Sequence, residues 1–179
     1  MEFAKNKHII LVGPMGAGKS TVGSILANKL EMDFYDVDEE LEKRCGVSVN
    51  IIFEIEQEEG FRKRETTMLS DLLEKPPSII ATGGGIIVRE ENLALILQSG
   101  SVVIYLKTDI NQQLLRLRKD KKRPLLQGSD RRKKLKALAK VRNPLYDSIA
   151  TVKVKTGHQS AYRMASIIMK HYLKPLLDS

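Results

Sequence analysis

The chain has 179 residues, 42% of them apolar and 29% charged, with a net charge of +8, one cysteine and no tryptophan. That length suits one domain with a real core, and nowhere does the sequence hold an apolar run long enough to cross a bilayer. Cys45 alone allows neither an intramolecular disulfide nor a cysteine-cluster metal site, and the apolar run from Ile9 is too short for a signal-peptide core, so a reducing, cytoplasmic setting is expected.

Short β-rich runs alternate with longer helical patterns, which predicts an α/β fold with a parallel sheet covered on both faces. Strands are predicted near His8 to Val12, Asp33 to Asp36, Ser78 to Ala81, Val102 to Leu106 and Thr151 to Val154. The first, "HIILV", leads directly into "GPMGAGKS", Gly13 to Ser20, which matches G-x-x-x-x-G-K-[ST]. A helix to about Leu30 follows, with Val22, Ile25, Leu26 and Leu30 on one stripe. Strand, glycine loop and helix in that order are the context the motif requires. Gly16 and Gly18 let backbone N–H groups close around phosphate oxygens at the positive end of the helix. Lys19 then reaches the β- and γ-phosphates of a nucleoside triphosphate, Ser20 offers its hydroxyl to Mg²⁺, and Thr21 continues the cradle toward the α-phosphate.

Strand two ends in "FYDVD", so Asp36 and Asp38 reach the carboxyl edge of the sheet, where open α/β folds bind ligands. Neither "IIATGGG" nor "VVIYLKT" ends in an aspartate, which leaves Asp36 and Asp38 to serve the metal and an acceptor hydroxyl. On an extended strand, i and i+2 project to one side. The competing reading makes Asp38 the N-cap of the helix "EELEKRC".

More than forty residues separate strands two and three. Their Glu-rich stretch from Glu54 leads into a helix through Phe61, Met68, Leu69, Leu72 and Leu73, on which Arg62 and Glu65 have the spacing of a surface ion pair. "TGGG", Thr82 to Gly85, exposes backbone N–H groups at the sheet edge that carries Asp38.

The segment from Arg116 to Arg142 holds thirteen Lys or Arg against two Asp, a local charge of +11, so the remainder sums to −3. Within it, "DKKRPLL" has the composition of a surface loop, and Arg142 of "RNPLY" is suited to chelate a carboxylate. One carboxylate, two arginines and a glycine edge point to a polyhydroxylated carboxylic acid as acceptor.

In their order and spacing, "GPMGAGKST", "FYDVDEELEKRCG", "EEGFRKRE", "ATGGG", "DKKRPLL" and "RNPLYD" closely resemble shikimate kinase, from about Lys7 to Ile168. The resemblance implies a single domain, 1–179, of nucleoside-monophosphate-kinase type, with a five-stranded parallel sheet, a substrate-binding subdomain at about 37–70 and a lid at about 120–130. It implies ATP and shikimate as substrates, Mg²⁺ as cofactor, transfer of the γ-phosphoryl group to the 3-hydroxyl, and a monomer that binds neither nucleic acid nor membrane. Carried over by position, Gly16, Ala17, Gly18, Lys19, Ser20 and Thr21 hold the ATP phosphates. Asp38 binds shikimate hydroxyls and accepts the proton, Arg62 and Arg142 take the carboxylate, and the Gly84 N–H meets a ring hydroxyl. Asp36 reaches the metal beside Ser20, Arg123 is the lid arginine on the transferring group, and Arg116 and Gln159 lie on the adenine side.

Two other readings are weighed. The basic segment also suits a nucleic-acid-binding module, but no Phe or Tyr falls between Tyr105 and Tyr146 to stack on bases. A kinase for another small hydroxy acid, such as gluconate, is the alternative within the enzyme class. No N-K-x-D motif marks a GTPase.

Overall fold

The computed structural model describes residues 6–118 and 130–174. Five strands, β1 (Ile9–Val12), β2 (Asp33–Asp36), β3 (Ser78–Ala81), β4 (Val102–Thr108) and β5 (Val152–Thr156), form one parallel sheet in the order β2, β3, β1, β4, β5. Ile9, Ile10, Leu11 and Val12 in the centre are each 1% exposed or less. Burying an aliphatic side chain to that extent stabilises by about 1.5–3 kcal/mol, and alternation divides the four between two cores. Ile9 and Leu11 pack under α1 (Lys19–Leu30) and α7 (Ala161–Ile168). Ile10 and Val12 pack under α2 (Val37–Cys45), α3 (Val49–Leu73), α4 (Glu90–Gln98) and α6 (Arg131–Ile149). A short helix, α5 (Ile110–Arg116), follows β4. No described helix is long and apolar enough to cross a membrane.

The expected α/β class and the five strands are present, with shifted ends. β4 and β5 both run on through polar residues because their pairing continues as Lys107 with Lys155 and Thr108 with Thr156. The two threonine hydroxyls meet at 2.6 Å inside the sheet, a polar closure that an apolar-run criterion cuts short. The long connection after β2 is two helices. α3 starts at Val49, with Ser48 as its N-cap, and breaks at Gln57, where φ is 58° and ψ −174°.

One expectation is corrected here. Asp36 and Asp38 do not share a strand face: β2 ends at Asp36, and α2 begins at the next residue. Asp36, not Asp38, is the N-cap, its Oδ1 accepting the Asp38 N–H at 3.0 Å and the Glu39 N–H at 3.3 Å. An N-cap keeps extended dihedrals, so the last residue of the strand, Asp36 at φ −105° and ψ 123°, can end β2 and cap α2 at once.

Candidate active site

The loop after β1 wraps the start of α1. Gly18 is the N-cap with φ 89°, a left-handed conformation costly for any residue with a Cβ. Lys19, only 8% exposed, folds back over this loop and donates to Gly13 O at 2.8 Å and Pro14 O at 2.9 Å. The Ser20 hydroxyl donates to Asp36 Oδ2, so the cap of α2 and the start of α1 meet at one pair of oxygens. Asp38, the second residue of α2, lies beside them. With Gly16, Thr21 and Gly84, these residues line a cleft of about 310 Å³ at the carboxyl edge of the sheet.

The glycines after β3 join this cleft to a second cluster of charges. A Cβ on Gly83 would sit 2.7 Å from Glu65 Oε1 and 3.4 Å from Asp38 Oδ1. One on Gly84 would sit 3.3 Å from Met15 N in the phosphate loop, and one on Gly85 would overlap Arg62 Nη1. Three consecutive residues without side chains therefore let a carboxylate pair, the glycine loop of β1 and a guanidinium crowd one short stretch of backbone. The sequence suggested exposed N–H groups here; the structure adds close approach as the stronger demand for glycine.

Arg62 is buried, and its Nη1 donates to Glu65 Oε2 at 3.0 Å while Nη2 donates to Glu58 Oε1 at 3.1 Å. The pair with Glu65 is thus no surface ornament, since the two side chains are 7% and 1% exposed. Burial pushes the Glu65 carboxyl up to about 7; Arg62 pulls it back down and the charge of Asp38 raises it again. Arg142 enters from α6, also buried, and burial lowers its proton affinity, though a guanidinium still keeps its charge.

Two residues of this cluster escape a reading by motif. Glu65 looks from its spacing like a helix-surface partner, and only its burial reveals a site group. Tyr146, fully buried, donates its hydroxyl to Gly84 O and so braces the glycine stretch from α6. Burial raises its pKa well above the usual tyrosine range. Its place at i+4 from Arg142 on a basic, amphipathic helix was the available signal.

On the other side of the phosphate loop, Arg116 Nη1 donates to Gly16 O at 2.9 Å and Nη2 to Gly157 O at 2.6 Å. It ties the cradle to the loop after β5. Gln159 stays in that loop, accepting the Gly157 N–H at 3.0 Å. An open depression of about 670 Å³ lies there, lined in part by Gln112, His158 and Gln159. Arg123, and "DKKRPLL" as a whole, lie outside the described residues.

Comparison with known proteins extends this beyond local geometry. The sequence model of the family described as shikimate kinase matches residues 15–173. A shikimate kinase of Psychromonas ingrahamii is 48% identical over 167 residues, 93% of this chain and 97% of that protein. The solved structure of the Acinetobacter baumannii shikimate kinase in complex with shikimate superposes with a TM-score of 0.93 at 41% identity, over 98% of both chains. The enzyme of Aquifex aeolicus gives 0.78 at 36% identity, over 96% of this chain and 99% of that one. A Sinorhizobium meliloti gluconokinase, at 13% identity and a TM-score of 0.57, shares the fold alone. The chain matches known relatives across nearly its whole length, and it belongs to the shikimate kinase family.

Proposed function

We propose that the protein transfers the γ-phosphoryl group of ATP to the 3-hydroxyl of shikimate, giving shikimate 3-phosphate and ADP, with the residues named above in specific roles. The observation that carries the reading is the glycine joint: Gly83 against Asp38, Gly84 against the phosphate loop and Gly85 against Arg62 bring donor and acceptor groups within one residue of each other along the chain. Gly16 through Thr21 bind the ATP phosphates, with Lys19 on the transferring end. Arg62 and Arg142 hold the acceptor's carboxylate, the Gly84 N–H takes a ring hydroxyl, and Asp38 receives the proton of the attacking hydroxyl. Arg116 and Gln159 flank the adenine.

Ser20 Oγ and Asp36 Oδ2 converge, which suits a hard divalent cation that takes oxygen ligands and completes its shell with water and phosphate. Among the described residues no cluster of three or more acidic, His or Cys side chains forms a dedicated metal cage. Magnesium bound there supplies charge neutralisation on the phosphates. Charge spreads over the transferring group and the leaving oxygen in a loose transition state, so cations aimed there act more on the transition state than on bound ATP. Lys19 and Arg123 have that role, and a lid at about 120–130 carrying Arg123 excludes the water that would otherwise take the phosphoryl group.

ADP release with shikimate, quinate, gluconate and nucleoside monophosphates offered in parallel tests the acceptor directly. Turnover is expected with shikimate well above the rest. Absence of turnover with shikimate would overturn the reading, as would a preference for gluconate. At the level of roles, Asp38→Asn is expected to lose transfer while still binding ATP.

A further inference from the structure

The two carboxylates on Arg62 are unequal. Glu65 is 1% exposed and bonds Nη1 from inside the fold, whereas Glu58 is 57% exposed and bonds Nη2 from the solvent side. A buried charge pair is costly to break, because the group left behind stays uncompensated, while an exposed i,i+4 pair is worth little. Nη1 is therefore the fixed end of the guanidinium and Nη2 the exchangeable one. An organic acid that docks on Arg62 through two parallel hydrogen bonds needs the exchangeable end.

We propose that Glu58 is a built-in stand-in for the acceptor's carboxylate, holding the open side of Arg62 until the acid displaces it. The inference rests on the reading of Arg62 as a carboxylate ligand. A plain helix-surface pair explains the i,i+4 spacing but not two further observations. The charge of Glu58 acts on Arg142 as well, although Arg142 belongs to a different helix, so this carboxylate stands in the field of both arginines assigned to the acid. Glu58 also follows Gln57, whose φ of 58° breaks α3 and sets the orientation at which the second half of the helix begins. On the far side of that break, Glu56 grips Arg64 through both carboxylate oxygens, at 2.7 and 2.5 Å. That pair spans the break, whereas the pair of Glu58 with Arg62 lies wholly beyond it, and this second pair is the one that the acid removes. Part of the binding energy of the acid is thus spent on displacing an internal anion, which weakens apparent affinity and leaves an acceptor without a carboxylate nothing with which to displace it.

Shikimate KM and the Kd from calorimetry, measured for Glu58→Gln, Arg62→Ala and the double variant, test this. Glu58→Gln is expected to lower both constants about two- to five-fold, the scale of an exposed pair plus one unfavourable charge contact, and to leave the KM for ATP alone. In the Arg62→Ala background the same change is expected to give a clearly smaller gain, since the pair is gone and only the charge contact remains. An unchanged or higher KM in Glu58→Gln overturns the proposal. So does a gain of equal size in the Arg62→Ala background, which would make Glu58 a general repulsive charge. If Arg62→Ala by itself leaves the shikimate KM unchanged, the assignment of Arg62 fails and the stand-in role with it.

Discussion

At the residue scale, Glu65 and Gln57 behave in ways their types do not suggest. Glu65 titrates near 7 because burial outweighs the arginine beside it. A substrate carboxylate bound on Arg62 adds negative charge nearby and favours the protonated Glu65, so by linkage the protonated enzyme binds the acid more tightly. Shikimate KM is therefore expected to rise several-fold as pH climbs through the range around 7. In Glu65→Gln, whose amide oxygen still accepts from Arg62, the profile is expected to be flat; steady-state kinetics between pH 6 and 8 check both. Gln57 has φ 58° and ψ −174°, a region occupied almost only by glycine, at a cost of about 1–3 kcal/mol for other residues. Gln57→Gly removes that strain, loses the bond from Gln57 Nε2 to Glu54 O and adds chain entropy to the unfolded state. The balance is a gain of about 1 kcal/mol, or roughly 2–4 °C in Tm for a chain of this size, readable by thermal melting. A lower Tm would show that the surrounding fold imposes no strain there.

At the element scale, two glycines separate packing from function. Gly23 on α1 faces Phe34 and Leu11, and a Cβ there would sit 2.6 and 2.9 Å from carbons of those side chains. Gly23→Ala is expected to destabilise by about 1–3 kcal/mol through overpacking, with little change in KM for either substrate. Gly85→Ala meets the guanidinium end of Arg62 instead. Displacing it is expected to raise shikimate KM by about tenfold or more, the scale of losing a charged hydrogen bond, and to leave the KM for ATP little changed, while Tm falls too because buried Glu65 loses its partner. The sequence makes both glycines visible and cannot tell them apart. What it makes legible is whatever depends on spacing along one element: the strand, loop and helix of the phosphate cradle, the five strand cores, and Arg62 and Arg142 on their helices. What it hides depends on contacts between elements. The burial of Glu65 under the glycine stretch, the brace from Tyr146 to Gly84 and the shared oxygens of Ser20 and Asp36 each join residues that are distant in the chain. Asp36 shows the boundary between the two, since as a strand residue it was legible, but its capping bonds depend on how α2 turns away from the sheet.

At the scale of the whole molecule, charge is segregated: +11 lies between Arg116 and Arg142 and −3 elsewhere. Lys133, Lys136 and Lys140 form an exposed row along α6, away from the face that buries Leu135, Arg142 and Tyr146. Both substrates are anions, and the row runs along the helix that delivers Arg142 to the cleft. A cationic surface beside a cleft raises the local concentration of anions and the rate of encounter, without touching the bound complex. Its reach is the Debye length, about 30 Å at 0.01 M salt and about 8 Å at 0.15 M. The three lysines changed together to Gln are therefore expected to lower kcat/KM several-fold at 0.01 M salt and much less at 0.15 M, with kcat the same at both. Arg142→Ala is expected to differ in kind, raising shikimate KM at every ionic strength, because a buried ligand is screened far less than a surface row. A loss of kcat/KM in the lysine variant that persisted undiminished at high salt would show that the row contacts a substrate directly, and the basic face of α6 would then belong to the binding site and not to its approach.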